Sequence, residues 1–250
     1  DSPGNTNYAV ATMPNNVDVR LLRGHYPKVG ADADGTEYAH SNNVFVNNPY
    51  WTAYQYETRD KRDRLLASGL MRFDFTDWLY LQGRIGTDWY TSRRREVTPY
   101  GTSHLNNGSV TETEIRQRET NAEFILGVDK TFGDFGVASF FGGNRMRKST
   151  ERLGLNGRDL QTPFFHSITN AATLTRIFEQ GEVGINSLFG SAEFSYKNML
   201  FLTMTGRNDW FSTLSPESNS VFYPSVGLSF ALSDAIELPA WVTFGKVRAA

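Results

Sequence analysis

No cysteine occurs among the 250 residues, which excludes disulfide staples and thiolate metal centres. Nor is there a run approaching the roughly 18 consecutive apolar residues that a membrane-spanning helix needs. A helical membrane protein is thereby excluded. A β-barrel is not, because its strands dilute apolar residues with polar ones and keep average hydropathy low. Neither sign of charge is in excess: 25 basic residues face 27 acidic ones, and a net charge of −2 gives no reason to expect nucleic acid as a partner. Histidine is scarce. His25, His40, His104 and His166 all fall in loop-like sequence, far apart and without an HExxH or similar spacing, so solvated loop residues are expected rather than a metal or catalytic site. The chain opens at DSPGNTNYAV with neither initiator methionine nor signal peptide and stops inside FGKVRAA, an unfinished strand pattern. It is expected to be a piece of something longer.

Aromatics, by contrast, are abundant. They make up 14% of the chain, with 18 Phe, 11 Tyr and 5 Trp, which suits strands and also the aromatic girdles of a barrel. Residues 1–60 are rich in Asn, Gly, Asp and Pro and read as an external loop region, with a short strand at Val17 to Leu22. The remainder, 61–250, reads as strands and loops of a transmembrane barrel. In RDRLLASGLMRFDF, Leu65, Ala67, Gly69, Met71, Phe73 and Phe75 share one face, with Ser68, Arg72 and Asp74 opposite. After a turn at Thr76 and Asp77, Leu79, Leu81, Gly83, Ile85 and Trp89 alternate with Gln82, Arg84 and Asp88. The period is two, not the 3.6 of a helix. The same alternation returns at Ala122, Phe124, Leu126 and Val128, then at Ala138, Phe140 and Gly142, and again at Leu188 to Tyr196. It continues through Leu200, Leu202, Met204 and Gly206, and through Val226, Leu228 and Phe230, for roughly eight strands in all.

A single amphipathic hairpin leaves open which face is inside. In a soluble sheet the apolar face is the core, whereas in an outer-membrane barrel it meets lipid. The connections favour the barrel. Those at Thr76, Gly133 and Lys197 are short, while those at about 93–112, 148–180 and 211–220 are long and polar. This is the rhythm of short periplasmic turns and long extracellular loops in an antiparallel up-and-down barrel. Leu200, Leu202, Met204, Val226, Leu228 and Phe230 are then expected to face lipid, and Thr203, Thr205, Arg207 and Asp209 the lumen. Phe75, Trp78, Phe132, Phe135 and Trp241 lie where an inner aromatic girdle would sit.

Five stretches invite functional readings. Arg84, Asp88 and Trp89, and likewise Arg207, Asp209 and Trp210, occur where a strand leaves for a long loop. They fit a rim that binds polar substrate, but a ladder of lumen charges that holds neighbouring strands or the plug in place is the favoured reading, since such charges are expected in any barrel. Tyr50, Trp51, Tyr54 and Tyr56 could form a carbohydrate or partner platform, or pack the loop down. DADG at 32–35, followed by Glu37, superficially matches a calcium loop but lacks the third ligand before the Gly and the later Glu, so a turn is expected and no cofactor. The run Arg93, Arg94, Arg95 reads as a solvated rim.

The stretches NPYWTAYQYETRDKRDRL, FDFTDWLYLQGRIGTDWY, GRNDWFSTLSPESNSVFYPSVGLSFALSD and LPAWVTFGKVRAA together resemble the SusC/RagA-like TonB-dependent outer-membrane transporters, and MPNNVDVRLL looks like the segment that precedes them. The resemblance implies a middle segment of a barrel of about 22 strands in a Gram-negative outer membrane. It also implies a plug and a TonB-binding part outside this chain, a SusD-like lipoprotein lid, and import of oligosaccharides or peptides without catalysis. The alternatives are a passive porin-like barrel and a soluble carbohydrate-binding β-sandwich.

Overall fold

The computed structural model describes residues 4–25, 27–236, 239 and 241–250. Eight strands form one antiparallel sheet in simple sequence order: β1 (Glu57–Thr76), β2 (Leu79–Thr98), β3 (Ser109–Phe132), β4 (Phe135–Leu160), β5 (Ala171–Tyr196), β6 (Leu200–Phe211), β7 (Ser220–Ala231) and β8 (Lys246–Ala249). A sandwich needs two sheets packed face to face. Here a single meander leaves its apolar face uncovered: Leu65, Met71, Phe73, Phe124, Phe194, Met204, Val226 and Leu228 are all exposed.

Tight turns join alternate strand ends. At Asp77 and Trp78 the Thr76 hydroxyl accepts the backbone N–H of Leu79 at 3.1 Å. Gly133 takes a positive φ of 60°, and Lys197 and Asn198 hold 51° and 55°, the paired left-handed conformation of a type I′ turn whose twist matches the flanking strands. At the other end the connections are longer but shorter than the sequence implies. They run over 99–108, 161–170 and 212–219, not 93–112, 148–180 and 211–220. The difference is strand. β4 and β5 each extend to 26 residues, more than twice the roughly 9–11 that cross a bilayer, so both protrude well past the outer leaflet.

Register fixes the faces of β5 to β7. Tyr196, Leu200 and Phe230 share one rung, as do Phe194, Leu202 and Leu228, and Ala192, Met204 and Val226. Glu193, Thr203 and Gly227 lie on the opposite face, with Ser187, Asp209 and Val221 farther along. On β4 the sequence reading is overturned. Phe140 meets Phe189, a lumen-face residue, while Phe141 meets Phe124 on the outward face, at centroid distances of 6.2 and 6.3 Å. Ala138, Phe140 and Gly142 therefore face the lumen and Val137, Ser139 and Phe141 face outward, because adjacent phenylalanines offer an apolar residue to either face.

Of the aromatics expected at an inner girdle, Trp78, Phe132 and Phe135 make contacts beside the tight turns. Phe135 packs against Tyr196 with ring centres 4.8 Å apart, and the Lys130 ammonium lies over both Trp78 and Phe132. Trp241 is exposed outside any strand. Of the SDAIELPA connection, α3 occupies Leu232–Ala235, whereas Glu237, Leu238 and Ala240 lie outside the described residues.

The fold divides into two compact units. One comprises the described residues up to Asp63 with Tyr90–Arg116 and Glu151–Gln180; the other comprises Arg64–Trp89, Gln117–Thr150 and the described residues from Gly181 onward. In the first unit the N-terminal region holds two short helices, α1 (Thr6–Ala11) and α2 (Pro49–Tyr54). The strand expected at Val17 to Leu22 is instead a 3₁₀ turn, Val19–Arg23, because the Asp18 carboxylate accepts the Arg20 N–H at 3.0 Å and caps it.

Candidate functional site

Within the second unit the lumen face of β4 to β7 brings together Phe140, Ser187, Phe189, Arg207, Asp209 and Tyr223. Arg207 donates Nε to both oxygens of Asp209 at 2.9 and 3.0 Å and Nη2 to the Ser187 hydroxyl at 3.1 Å. Its guanidinium also lies 5.7 Å from the Phe189 ring centre, and Tyr223 sits in register beside it on β7. Ser187 and Asp209 are buried beneath this arrangement. The guanidinium is thus held by a carboxylate, a hydroxyl and a ring, while Phe140 and Tyr223 remain exposed. Such a wall combines an oriented cation with aromatic surfaces, suited to polar chains that carry apolar patches.

Other sequence candidates are dispersed. Arg84 pairs with Glu123 on β3 at 3.2 Å, and Asp88 pairs with Arg64 on β1 at 2.6 Å, so each ties neighbouring strands. Trp89 and Trp210 do not join a lumen rim. Trp210 has the parity of Leu200, Leu202 and Met204, and Trp89 that of Leu81 and Ile85, so both rings lie on the outward face at the upper edge of the apolar band. There they fit an interfacial aromatic belt.

In the first unit Arg93 and Arg94 of the arginine run are exposed, as a solvated rim requires, but the run is ion-paired. It lies inside β2, where Arg93 pairs with Glu114 at 2.7 Å, Arg94 with Glu96 at 2.6 Å and Arg95 with Glu57. The hydrogen bond to Arg93 holds the Glu114 carboxyl below its usual range and raises the guanidinium correspondingly. These residues line a cavity of about 1250 Å³ with Arg59, Leu153 and Phe178.

The loop aromatics split. Trp51 is 1% exposed and its indole N–H donates to the Thr102 hydroxyl at 3.0 Å, and burial raises the Tyr56 phenol above its usual range, helped by the nearby Glu37 charge. These two pack the loop. Tyr50 stacks on Tyr54 at 6.4 Å, and Tyr54 is 66% exposed, so only this pair presents a surface.

The residue that the sequence hides is Glu37. It is buried, and its carboxylate accepts from Asn47 Nδ2 at 2.9 Å, the Asn48 N–H at 2.5 Å and the Ser103 N–H at 2.8 Å. Asp34 accepts from the Thr36 N–H at 2.9 Å and the Thr36 hydroxyl at 2.7 Å, which makes DADG a turn. His40 and His104, 64 residues apart in sequence, both feel the Glu37 charge, yet burial lowers the pKa of each. Neither ring nitrogen of His40 has a partner among the described residues.

A long meander with an uncovered apolar face, a polar lumen face and strands that overrun the membrane defines a segment of an outer-membrane β-barrel wall. The chain belongs to the TonB-dependent receptor-like β-barrel family, whose model matches residues 2–248. That family is one of outer-membrane receptors rather than enzymes. Among curated proteins the chain is similar to TonB-dependent receptor P26 of Formosa agariphila, 21% identical over 199 residues, covering 75% of this chain and 20% of the relative. Among solved structures it is similar to the RagAB peptide transporter, with a TM-score of 0.75, 13% identity, and coverage of 86% of this chain and 25% of that one. The open-open state of the RagAB peptide importer gives 0.70 and 14%, over 88% and 25%. The chain thus spans about a quarter or less of the length of these three proteins.

Proposed function

We propose that this chain is part of the barrel wall of a TonB-dependent transporter in a Gram-negative outer membrane, importing peptides or oligosaccharides together with a SusD-like surface lipoprotein. In that reading TonB acts through parts of the protein outside this chain. The lumen patch around Arg207 carries the proposal, since a guanidinium fixed by Asp209 and Ser187 between exposed aromatics serves a passing polar chain better than it serves sheet stability alone. RagAB, named as a peptide transporter, supports peptide among the two substrate classes.

The test is uptake by cells carrying the intact transporter. Replacing both Phe140 and Tyr223 with Ala leaves the Arg207–Asp209 pair in place and is expected to lower uptake of the preferred substrate about tenfold, equivalent to ~1.4 kcal/mol. Uptake is also expected to vanish without TonB. Wild-type uptake by the double variant at equal surface abundance contradicts the lumen site, and uptake that persists without TonB contradicts the energised mechanism.

A further inference from the structure

Two features of the outward face lie on the same four strands, β3 to β6, and play no part in the lumen. The lower is an apolar trough of about 460 Å³. Leu126, Val128, Phe141 and Met204 form its walls, while Gly190 and Gly206 leave its floor without side chains. The upper is a groove of about 520 Å³ that includes Arg118, Arg147, Lys148, Glu182 and Ser212. Lys148 has the lumen parity of Phe140 and Gly142, so the outward charges of the groove are Arg118 and Arg147 against the one carboxylate of Glu182, which leaves it net positive. Arg118 and Arg147 are exposed, and neither has an acidic partner within ion-pairing distance among the described residues. This sets them apart from Arg93, Arg94, Arg95, Arg116 and Arg152, all of which are paired.

Spacing links the two features. Phe141 and Arg147 are six residues apart on β4 and share the outward face, a separation of roughly 20 Å at about 3.3 Å per residue, less when tilted. That carries the arginines from the apolar band to the level of the outer-leaflet headgroups, since half of the hydrocarbon core is about 15 Å thick. Trp210, on the same face, marks the boundary between them.

We propose that the outward face of β3 to β6 binds a phosphorylated lipid of the outer leaflet, with an acyl chain in the trough and the phosphate between Arg118 and Arg147. The proposal rests on the barrel orientation given above. An apolar trough below a net-positive groove matches an amphiphile that carries both parts, whereas a free anion would leave the trough without a role. Arginine suits the upper site because its planar donors can bind phosphate oxygens in pairs.

The experiment uses the intact transporter in lipid nanodiscs. Diphosphoryl lipid A and its dephosphorylated form serve as probes, and retention is read by native mass spectrometry. The wild type is expected to retain the phosphorylated form about tenfold more. Arg118→Ala with Arg147→Ala is expected to abolish that preference, and Ala192→Trp, which fills the trough, to reduce retention of both lipids. Equal retention of the two lipids by the wild type overturns the proposal, as does an unchanged preference in the double arginine variant. Displacement of the lipid by inorganic phosphate alone, with Ala192→Trp without effect, also overturns it by showing an anion site only. Heat-modifiable gel mobility, measured on every sample, reports the barrel independently. A transporter that inserts normally without lipid preference overturns the lipid site alone, whereas failure of the wild type to insert overturns the barrel reading and the proposal with it.

Discussion

Met204→Arg is expected to lower folding stability in a bilayer by roughly 2–4 kcal/mol, the cost of a cation on the lipid face of a barrel near the midplane. Met204 lies between Ala192 and Val226 in register, with Leu200 and Leu202 below and Gly206 above it on the same face. Four alternate positions of β6 thus form an apolar band, and Met204 sits near its centre. Depth makes the prediction sharper. Leu200→Arg, one residue from the inner turn, is expected to cost only about 0–1 kcal/mol, because near the interface the cation can reach water. Thr205→Arg points into the lumen and is expected to be mild. Denaturant titration of the intact barrel in vesicles gives all three values. Equal costs at positions 200 and 204, or a larger cost at 205 than at 204, would show that the faces or the depth are misassigned.

Trp51→Ala is expected to destabilise the N-terminal region by about 3–5 kcal/mol, the usual range for deleting a buried large aromatic. The side chain is 1% exposed, and its N–H is bound to a threonine 51 residues away, so its removal leaves a cavity and breaks a long-range tie. The Glu37 carboxylate, which accepts from Asn48 at the start of α2 and from Ser103, would remain as a tie between α2 and the 99–108 loop. Limited proteolysis of the intact protein is expected to release fragments from residues 4–56 in Trp51→Ala and none in Tyr54→Ala, whose side chain is largely exposed. Equal protection of the two variants would contradict a packing role for Trp51.

These two sites differ in how far the amino-acid sequence betrays them. The faces of β6 and β7 are legible because every second residue from Leu200 to Met204 and from Val226 to Phe230 is apolar, and period two assigns those residues to one face. Phe140 and Phe141 defeat that rule by being apolar in both phases. The outer ends of β2 to β5 defeat it differently. Above the membrane both faces meet water, so Arg93, Arg95, Glu112 and Glu114 read as loop although backbone pairing and ion pairs keep them in strands. Trp89 and Trp210 were displaced from the lumen by parity alone, a consequence already present in the alternation but masked by their neighbours Asp88 and Asp209. Trp51 owes its role to a partner 51 residues away, and Glu37 to Asn47 and Asn48 at 10 and 11 residues and to Ser103 at 66, which no local pattern encodes.

This chain contributes no native thiol to compete for a label, and any cysteine elsewhere in the transporter is first replaced by serine. Met204→Cys and Thr205→Cys, adjacent on β6, place one thiol on each face of the wall in the intact transporter. Each is labelled with a fluorophore in vesicles that contain either nitroxide-bearing lipid or a water-soluble quencher. The barrel assignment requires quenching at 204 by the lipid-borne nitroxide and at 205 by the soluble agent. The reverse pattern, or soluble quenching at both positions, would contradict it.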